Sequence, residues 1–122
     1  MPGTFTTSRD MKTLDQTAFE AVVASGGVHV IDFTAKWCGP CRQMTPVLDQ
    51  LAREYAGRVQ FAAVDCDDEP QIAQRYDVRS MPTFVVLRDG REVGRIVGAR
   101  PRAFVAGVID RALGGDVAIT AP

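Results

Sequence analysis

The sequence has little of what marks secreted, membrane-spanning or nucleic-acid-binding proteins. Of its 122 residues only three are cysteine, and this odd, small count excludes the disulfide framework of small secreted domains. No apolar run reaches the length of about eighteen residues that a transmembrane helix needs. The net charge of -1, from 14 basic and 15 acidic side chains, gives no electrostatic reason to expect nucleic-acid binding. We therefore expect neither a membrane nor a nucleic acid among the partners.

The organisation of the chain is that of one domain, because the length is typical and no linker, repeat or low-complexity tract occurs. We expect a single domain over residues 1–122, with an N-terminal edge strand or arm over about 1–12 and a frayed tail over 114–122. The first ten residues are polar, and Asp15 and Glu20 interrupt the stretch that follows, so no targeting signal is predicted. Without such a signal, an unpaired cysteine favours the reducing cytoplasm.

Hydrophobic periodicity predicts helices and strands that alternate along most of the chain. Strand–helix–strand units pair in parallel through right-handed crossovers, whereas Asp89-Gly90 predicts an antiparallel hairpin. These elements predict an α/β fold with helices on both faces of a central mixed sheet of four to five strands. The predicted strands are Val28–Phe33, Val59–Val64, Thr83–Leu87 and Glu92–Val97, and the four helices start near Thr13, after Cys38, near Pro70 and near Phe104.

Three of these helices carry specific expectations. Thr13-Leu14-Asp15-Gln16 fits a capping box, so the first helix begins at Thr13 or a residue or two later. Pro46 lies inside the second helix and should kink it. The apolar face predicted for the last helix consists of Phe104, Val105, Val108, Ile109 and Leu113.

Two cysteines three residues apart, Cys38 and Cys41, follow a buried strand at the predicted start of a helix. This spacing lets the two sulfurs reach each other within one turn. The unpaired N–H groups and the dipole of a helix N-terminus stabilise a thiolate, which makes Cys38 the predicted nucleophile. Cys41 lies one turn inward, is expected to be less exposed and suits the resolving role. Such a pair reduces a target disulfide through a mixed disulfide on Cys38, which Cys41 then attacks.

A zinc half-site is the alternative interpretation of the cysteine pair. A tetrahedral zinc site needs four ligands, and beyond the pair the chain offers only Cys66 and His29 as soft ligands. No second CxxC occurs in the sequence. We therefore predict no metal.

The segment Trp37-Cys38-Gly39-Pro40-Cys41 resembles the active-site motif of the thioredoxin family. The resemblance extends from about Leu14 to Leu113, which is most of the chain. Asp32, six residues before Cys38, matches the buried aspartate of the family. Further matches are the kinking proline Pro46, the cis-proline loop Met81-Pro82-Thr83 and two later glycines, Gly90 and Gly98.

The resemblance implies a thioredoxin fold and a protein-disulfide reductase that carries two electrons. It implies recharging by thioredoxin reductase, which draws on NADPH through its own FAD. It implies no bound cofactor on this chain, whose redox group is the Cys38–Cys41 disulfide. Gly39-Pro40 between the cysteines resembles the reducing members of the superfamily more than its oxidants and isomerases. We expect a monomer that acts on disulfide-containing protein substrates.

Asp32 is the candidate proton carrier of the site. It could be an ordinary strand-end carboxylate bonded to backbone, but a lone carboxylate in an apolar strand is costly to ionise, so its pKa should rise. A raised pKa suits a proton shuttle to and from Cys41, which is the role that the family assigns to the matching residue. Two positions depart from the family: Ala63 stands where a lysine is frequent near this aspartate, and Thr34 where many members have an aromatic residue.

A partner-binding surface is predicted around the cysteine pair. Trp37 is expected to be a partly exposed lip that shields the disulfide, rather than a core residue. The resemblance places the Met81-Pro82 loop against the CxxC, where its backbone pairs with an extended substrate segment. Gly39, Pro40 and Pro82 shape the site. The whole predicted surface consists of Trp37, Gly39, Pro40, Met81, Pro82 and Gly98.

Several other polar residues carry weaker expectations. Cys66 is expected to be a small, half-buried hydrophobe, and the alternative is a secondary redox thiol that cross-links dimers under oxidation. His29 is expected at the surface, Lys36 in solvent, and the acidic run from Asp65 to Glu69 in a solvated loop. For the protein as a whole, the alternative to a reductase is a non-catalytic binding module that uses the partner surface and not the thiols.

Overall fold

A five-stranded mixed sheet forms the centre of the computed structural model, which describes residues 11–114. The strand order is β1-β3-β2-β4-β5, with β1, β3 and β2 parallel and β4 and β5 antiparallel to their neighbours. The strands are β1 (Lys12–Thr13), β2 (Val28–Thr34), β3 (Val59–Asp65), β4 (Thr83–Arg88) and β5 (Arg91–Val97), and the helices are α1 (Gln16–Ala24), α2 (Gly39–Glu54), α3 (Pro70–Arg75) and α4 (Arg102–Leu113). The predicted fold class is confirmed.

The two faces of the sheet build two hydrophobic cores, because successive side chains of a strand point to opposite faces. On β2, Val28 and Val30 join the core beneath α2 and α4, whereas Ile31 and Phe33 join the core beneath α1 and α3. Asp32 lies two residues after Val30 on β2, so its side chain points to the same face of the sheet, which α2 covers. This alternation directs a carboxylate toward the helix that begins with the cysteine pair.

The first helix begins later than the capping-box residue Thr13. Thr13 pairs with Ala63 in the sheet, and the helix is capped by Asp15, whose Oδ1 accepts a hydrogen bond of 2.8 Å from the Ala18 N–H. Aspartate and threonine can both supply a capping oxygen. Because Thr13 is paired in the sheet, Asp15 caps the helix instead, and the helix begins at Gln16.

The last helix buries a narrower face than its periodicity predicts. Val105, Ile109 and Ala112 are buried, whereas Phe104 is 42% exposed. The prediction that Phe104 belongs to the apolar face is therefore wrong. The Arg100 guanidinium lies 4.0 Å from the centre of the Phe104 ring, which explains how an exposed aromatic side chain is accommodated there.

The remaining boundaries follow the sequence closely. Pro46 lies inside α2, and Asp89 and Gly90 adopt positive φ values of 52° and 83° at the β4–β5 hairpin. The single-domain prediction remains a prediction, and most of its arm (1–10) and tail (115–122) lie outside the described residues. Within residues 11–114, no helix has both the length and the hydropathy needed to cross a membrane.

Gly94 in β5 permits the close approach of α4, and this contact yields a stability prediction. A Cβ atom at Gly94 would stand 2.8 Å from Cγ1 of Val108, a β-branched side chain with little freedom to move. We predict that Gly94→Ala lowers the free energy of unfolding by about 1–3 kcal/mol. Guanidinium titration measures the change.

The matched control for this prediction is Gly107→Ala, in which the added methyl group meets no atom within 4 Å. Because Gly107 lies inside α4, alanine should stabilise the protein there by about 0.5–1 kcal/mol. Adding Val108→Ala to the Gly94→Ala variant should cost less than Val108→Ala in the wild type. Equal stability of Gly94→Ala and wild type would contradict the packing argument.

Candidate active site

The cysteine pair lies where the carboxyl end of β2 meets the first turn of α2. Cys38 is the N-cap of α2, with φ -87° and ψ 109°, and its Sγ accepts a hydrogen bond of 3.2 Å from the Cys41 N–H. Gly39 and Pro40 occupy the first two helical positions, and proline is favoured there because the N–H it lacks would have no helical partner. The helix terminus thus presents its unpaired N–H groups to the Cys38 sulfur.

Cys38 and Cys41 are joined by a disulfide, with their Cα atoms 5.3 Å apart. The exposed fractions of the two residues are 3% and 7%. The expectation that Cys41 is the less exposed cysteine is therefore wrong for this oxidised state. Cys38 is covered because Ala35 and Met81 pack against the pair.

The Met81-Pro82 loop lies against Cys38, as predicted, and its peptide bond is cis. The Met81 carbonyl oxygen is 3.6 Å from Cys38 Sγ. The Gly98 N–H donates a hydrogen bond of 2.8 Å to the Pro82 carbonyl oxygen. Gly98, distant in the sequence, is thus brought to the Met81-Pro82 loop that lies beside the disulfide.

Trp37 precedes the pair on the side of β3, away from the Met81-Pro82 loop before β4, and is 64% exposed. Its indole Nε1–H donates a hydrogen bond of 2.7 Å to Oδ2 of Asp67, which fixes the orientation of the exposed ring. Pro40 is exposed and Gly39 is half-buried. The partly exposed tryptophan follows the sequence expectation, whereas its partner Asp67 was not anticipated.

The loop after β3 is organised by Asp65, which the sequence interpretation left in solvent. Asp65 is buried and accepts hydrogen bonds from the N–H groups of Asp67 (2.9 Å) and Asp68 (3.1 Å) and from Lys36 Nζ (3.2 Å). Burial alone would raise the pKa of Asp65, but the Asp68 N–H, the Lys36 ammonium and the Asp67 N–H together lower it. The missed signal is an aspartate placed directly at the end of a buried strand, where such side chains accept from backbone two residues on.

The remainder of this loop agrees with expectation. Asp67 and Asp68 are exposed, and the side chain of Lys36 is 79% exposed although its Nζ also reaches Asp68 at 3.4 Å. The loop after β3 bonds to both residues that precede Cys38. Asp65 accepts a hydrogen bond from Lys36, and Asp67 accepts one from Trp37. The acidic side chains of this loop therefore form one rim of the surface around the disulfide.

Asp32 is buried on the α2 face, with an exposed fraction of 8%. Its Oδ1 accepts no hydrogen bond from any described residue, and burial raises its pKa to about 7. Ala63, directly beside it on β3, is too short to supply a donor. Asp32 and Cys41 line one pocket of about 370 Å³, together with Thr34 and Thr45.

Cys66 and His29 lie away from this arrangement. Cys66 packs half-buried against the core of α1 and α3, and burial, with Asp65 and Asp67 adding to it, raises the pKa of its thiol to about 11. His29 is buried, with Nε2 2.9 Å from the Gly26 carbonyl oxygen, so its expected surface position is wrong. The reason is that both faces of β2 are covered.

Possible metal ligands do not cluster in the described chain. Across residues 11–114, no three of its histidine, cysteine, aspartate and glutamate residues form a group that could hold a metal ion.

The comparisons with known proteins agree with this geometry. The thioredoxin family model matches residues 10–111. A thioredoxin of Staphylococcus aureus is 42% identical over 95 residues, which cover 78% of this chain and 90% of that protein.

Solved structures give the same result. Mitochondrial thioredoxin 3 of Saccharomyces cerevisiae, in its oxidised form, is 40% identical with a TM-score of 0.75, covering 82% of this chain and 94% of that one. A thioredoxin of Nicotiana alata is 31% identical with a TM-score of 0.81, covering 89% and 97%. The family model, the identities and the disulfide at the start of α2 together show that this chain belongs to the thioredoxin family of thiol–disulfide oxidoreductases.

Proposed function

We propose that this protein reduces disulfides of other proteins with Cys38 as nucleophile and Cys41 as resolving thiol. The observation that carries the assignment is the position of Cys38 as the N-cap of α2, with its sulfur 3.2 Å from the Cys41 nitrogen. Only Cys38 is placed to have its thiolate stabilised by the helix terminus. In the described state the pair holds the oxidised product of one cycle.

The first step joins the reduced protein to its target. The Cys38 thiolate attacks one sulfur of the target disulfide, the target S–S bond breaks, and the second target sulfur leaves as a thiolate that takes a proton from water. The product is a mixed disulfide between Cys38 and the target. The hydrogen bond from the Cys41 N–H stabilises the anionic sulfur before the attack.

The second step releases the target and uses Asp32. Cys41 loses its proton to the Asp32 carboxylate and attacks Cys38, and the remaining target sulfur leaves as a thiolate. Asp32 suits this role because a pKa of about 7 lets it exchange a proton near neutral pH. The shared pocket, at about 370 Å³, has room for a water molecule to relay the proton between the two groups. Two electrons have then passed from the dithiol to the target.

The target segment is proposed to lie across Trp37, Gly39, Pro40, Met81, Pro82 and Gly98. The Met81 carbonyl oxygen beside Cys38 supports backbone pairing with an extended segment that carries the disulfide. Gly39, Pro40 and Pro82 shape this surface, and Trp37 forms its lip. Affinity from main-chain hydrogen bonds fits a protein that acts on many targets.

Recharging completes the proposed cycle. A flavin-dependent thioredoxin reductase returns two electrons from NADPH to the Cys38–Cys41 disulfide, so NADPH and FAD belong to that partner. We propose further that the protein is a monomer of one domain that works in the cytoplasm. A family whose members exchange disulfides requires reducing surroundings to be recharged.

The two cysteines predict different defects on substitution. Cys38→Ser should reduce insulin disulfides at no more than the background rate, because no nucleophile remains at the helix terminus. Cys41→Ser should still attack and then accumulate mixed disulfides with its targets, since resolution is blocked. Gel mobility under non-reducing conditions and mass spectrometry of the trapped adducts check both results.

The control in this experiment is Cys66→Ser, which should reduce insulin at the wild-type rate because Cys66 lies outside the site. Full activity of Cys38→Ser would contradict the catalytic assignment. It would favour a binding module that uses the surface without the thiols.

Asp32→Asn should slow resolution of the mixed disulfide by about 10²-fold, because Cys41 loses its proton acceptor. The first step should proceed at the wild-type rate, so the mixed disulfide accumulates and can be followed by quenched-flow trapping. Thr34→Val is the matched control, since it alters the same pocket without removing a titratable group. An equal loss of rate in both steps would count against a specific role in resolution.

The raised pKa of Asp32 also predicts how stability depends on pH. The folded state holds the Asp32 proton up to a pKa of about 7, against the ordinary value of 3.8, so ionisation destabilises the folded protein progressively between these two pH values. Asp32→Asn should therefore match wild type below about pH 4 and be more stable by about 4 kcal/mol above about pH 7. Denaturation of the oxidised protein measures this difference while Cys38 and Cys41 cannot titrate. A difference that stays constant over this pH range would contradict the proposed pKa.

A further inference from the structure

The loop from Gly98 to Pro101, here named the 98–101 loop, follows β5, whereas the acidic rim follows β3. Because β2 and β4 lie between these two strands, the loop and the acidic rim border the proposed target surface on opposite sides. Gly98 bonds to Pro82, and Pro82 follows the Met81 carbonyl that touches Cys38. The Cα atom of Arg100 lies two residues further on, hence no more than about 7.6 Å from that of Gly98. A side chain at position 100 thus starts at the edge of the surface where a target must lie.

Among the described residues, Arg100 differs from the neighbouring arginines because no carboxylate neutralises its charge. Arg79 pairs with Asp77, Arg95 with Glu92, and Arg102 with Glu54. No carboxylate within residues 11–114 is at salt-bridge distance from Arg100, which is exposed. Within the described part of the chain, an exposed guanidinium without a carboxylate partner therefore stands on the β5 side of the target surface.

The Arg100 guanidinium is held in place by the ring of Phe104. Its carbon lies 4.0 Å from the ring centre, and Phe104, 42% exposed, is one of three large exposed hydrophobic side chains in the described chain. Stacking uses the flat face of the guanidinium and leaves its N–H edge free to bind a carboxylate through two hydrogen bonds. Holding the side chain before binding also lowers the entropy cost of that contact.

The opposite rim carries charge of the other sign. Asp67 and Asp68 are exposed on the Trp37 side of the disulfide, where Asp67 holds the indole. A target crossing the surface meets an acidic rim on one side of its cysteine and Arg100 on the other. A target carboxylate gains a partner on the Arg100 side. On the Trp37 side, Lys36 is already paired with Asp65 and Asp68, and Arg42 bonds to the Lys36 carbonyl oxygen, so a target carboxylate gains less there.

We propose that Arg100, stacked on Phe104, is a specificity determinant that selects target disulfides with an aspartate or glutamate on one side of the reacting cysteine. This inference rests on the proposed function, since it concerns the targets of the same disulfide exchange. The partner chemistry is an extended, acidic peptide segment, and the contact acts on recognition without touching the reacting sulfurs.

The test compares peptide disulfides that differ only near the cysteine. Reduced wild-type protein should react about three- to fivefold faster with a peptide carrying glutamate within a few residues on one side of the cysteine than with its glutamine counterpart. Glutamate moved to the other side should give no gain. High ionic strength should reduce the preference, because the contact is an exposed charge pair. Equal rates for the two glutamate positions would overturn the proposal.

Variants test whether Arg100 is the source of the preference for the glutamate peptide. Arg100→Ala should abolish the glutamate preference while reducing the glutamine peptide at the wild-type rate. Phe104→Leu should weaken the preference, because the guanidinium loses its stacking partner. Arg91→Ala, which removes an equal charge at the far end of β5, about 20 Å from Val97, should leave the preference intact. Loss of the preference in Arg91→Ala, or its survival in Arg100→Ala, would overturn the inference.

Reduction of the glutamine peptide distinguishes a failure of the proposed reductase function from a failure of the specificity role of Arg100. Failure of the wild-type protein to reduce that peptide would refute the proposed reductase and with it the specificity. Normal reduction without any glutamate preference would refute only the role of Arg100. Slower reduction of every peptide by Arg100→Ala would also overturn the inference, because it would mark Arg100 as a support for the surface and not a selector of targets.

Discussion

The contact on which the site depends is the hydrogen bond from the Cys41 N–H to Cys38 Sγ at the first turn of α2. It exists because the short connection after β2 places a cysteine at the capping position of the 16-residue helix α2. A serine or aspartate cap would satisfy the same N–H, but it would place no redox-active sulfur there. The helix terminus therefore provides both the geometry of the disulfide and the stabilisation of the thiolate that replaces it.

The residues around this contact differ in position and in role. Asp32 lies beneath the site on one face of the sheet, whereas Met81 and Trp37 flank the disulfide. The period-two alternation of β2 turns Asp32 toward α2, where burial raises its pKa to about 7. The Met81-Pro82 loop covers Cys38 on one side, and Trp37 stands exposed on the other. With the short side chain of Ala63 beside Asp32 on β3, burial is the cause of the raised pKa.

Much of the fold and the centre of the site could be predicted from the sequence, because they depend on local patterns. Patterns of a few consecutive residues predict the strands, the Asp89-Gly90 hairpin and the CxxC at the start of a helix. The errors concern properties set by long-range packing. Asp65 and His29 are buried because distant segments cover them, and Phe104 is exposed because α4 meets the sheet through a narrower face than its periodicity suggests. The relative exposure of Cys38 depends on Met81, which is 43 residues away in the chain.

The reduction potential of the Cys38–Cys41 pair decides whether the pair acts as a reductant. Equilibration with a dithiol of known potential, followed by quantification of both redox forms, gives the value. We expect a potential close to about -270 mV, the level characteristic of the thioredoxin family. A potential near about -180 mV, characteristic of a disulfide isomerase, would contradict it, since the difference corresponds to roughly 4 kcal/mol of reducing power.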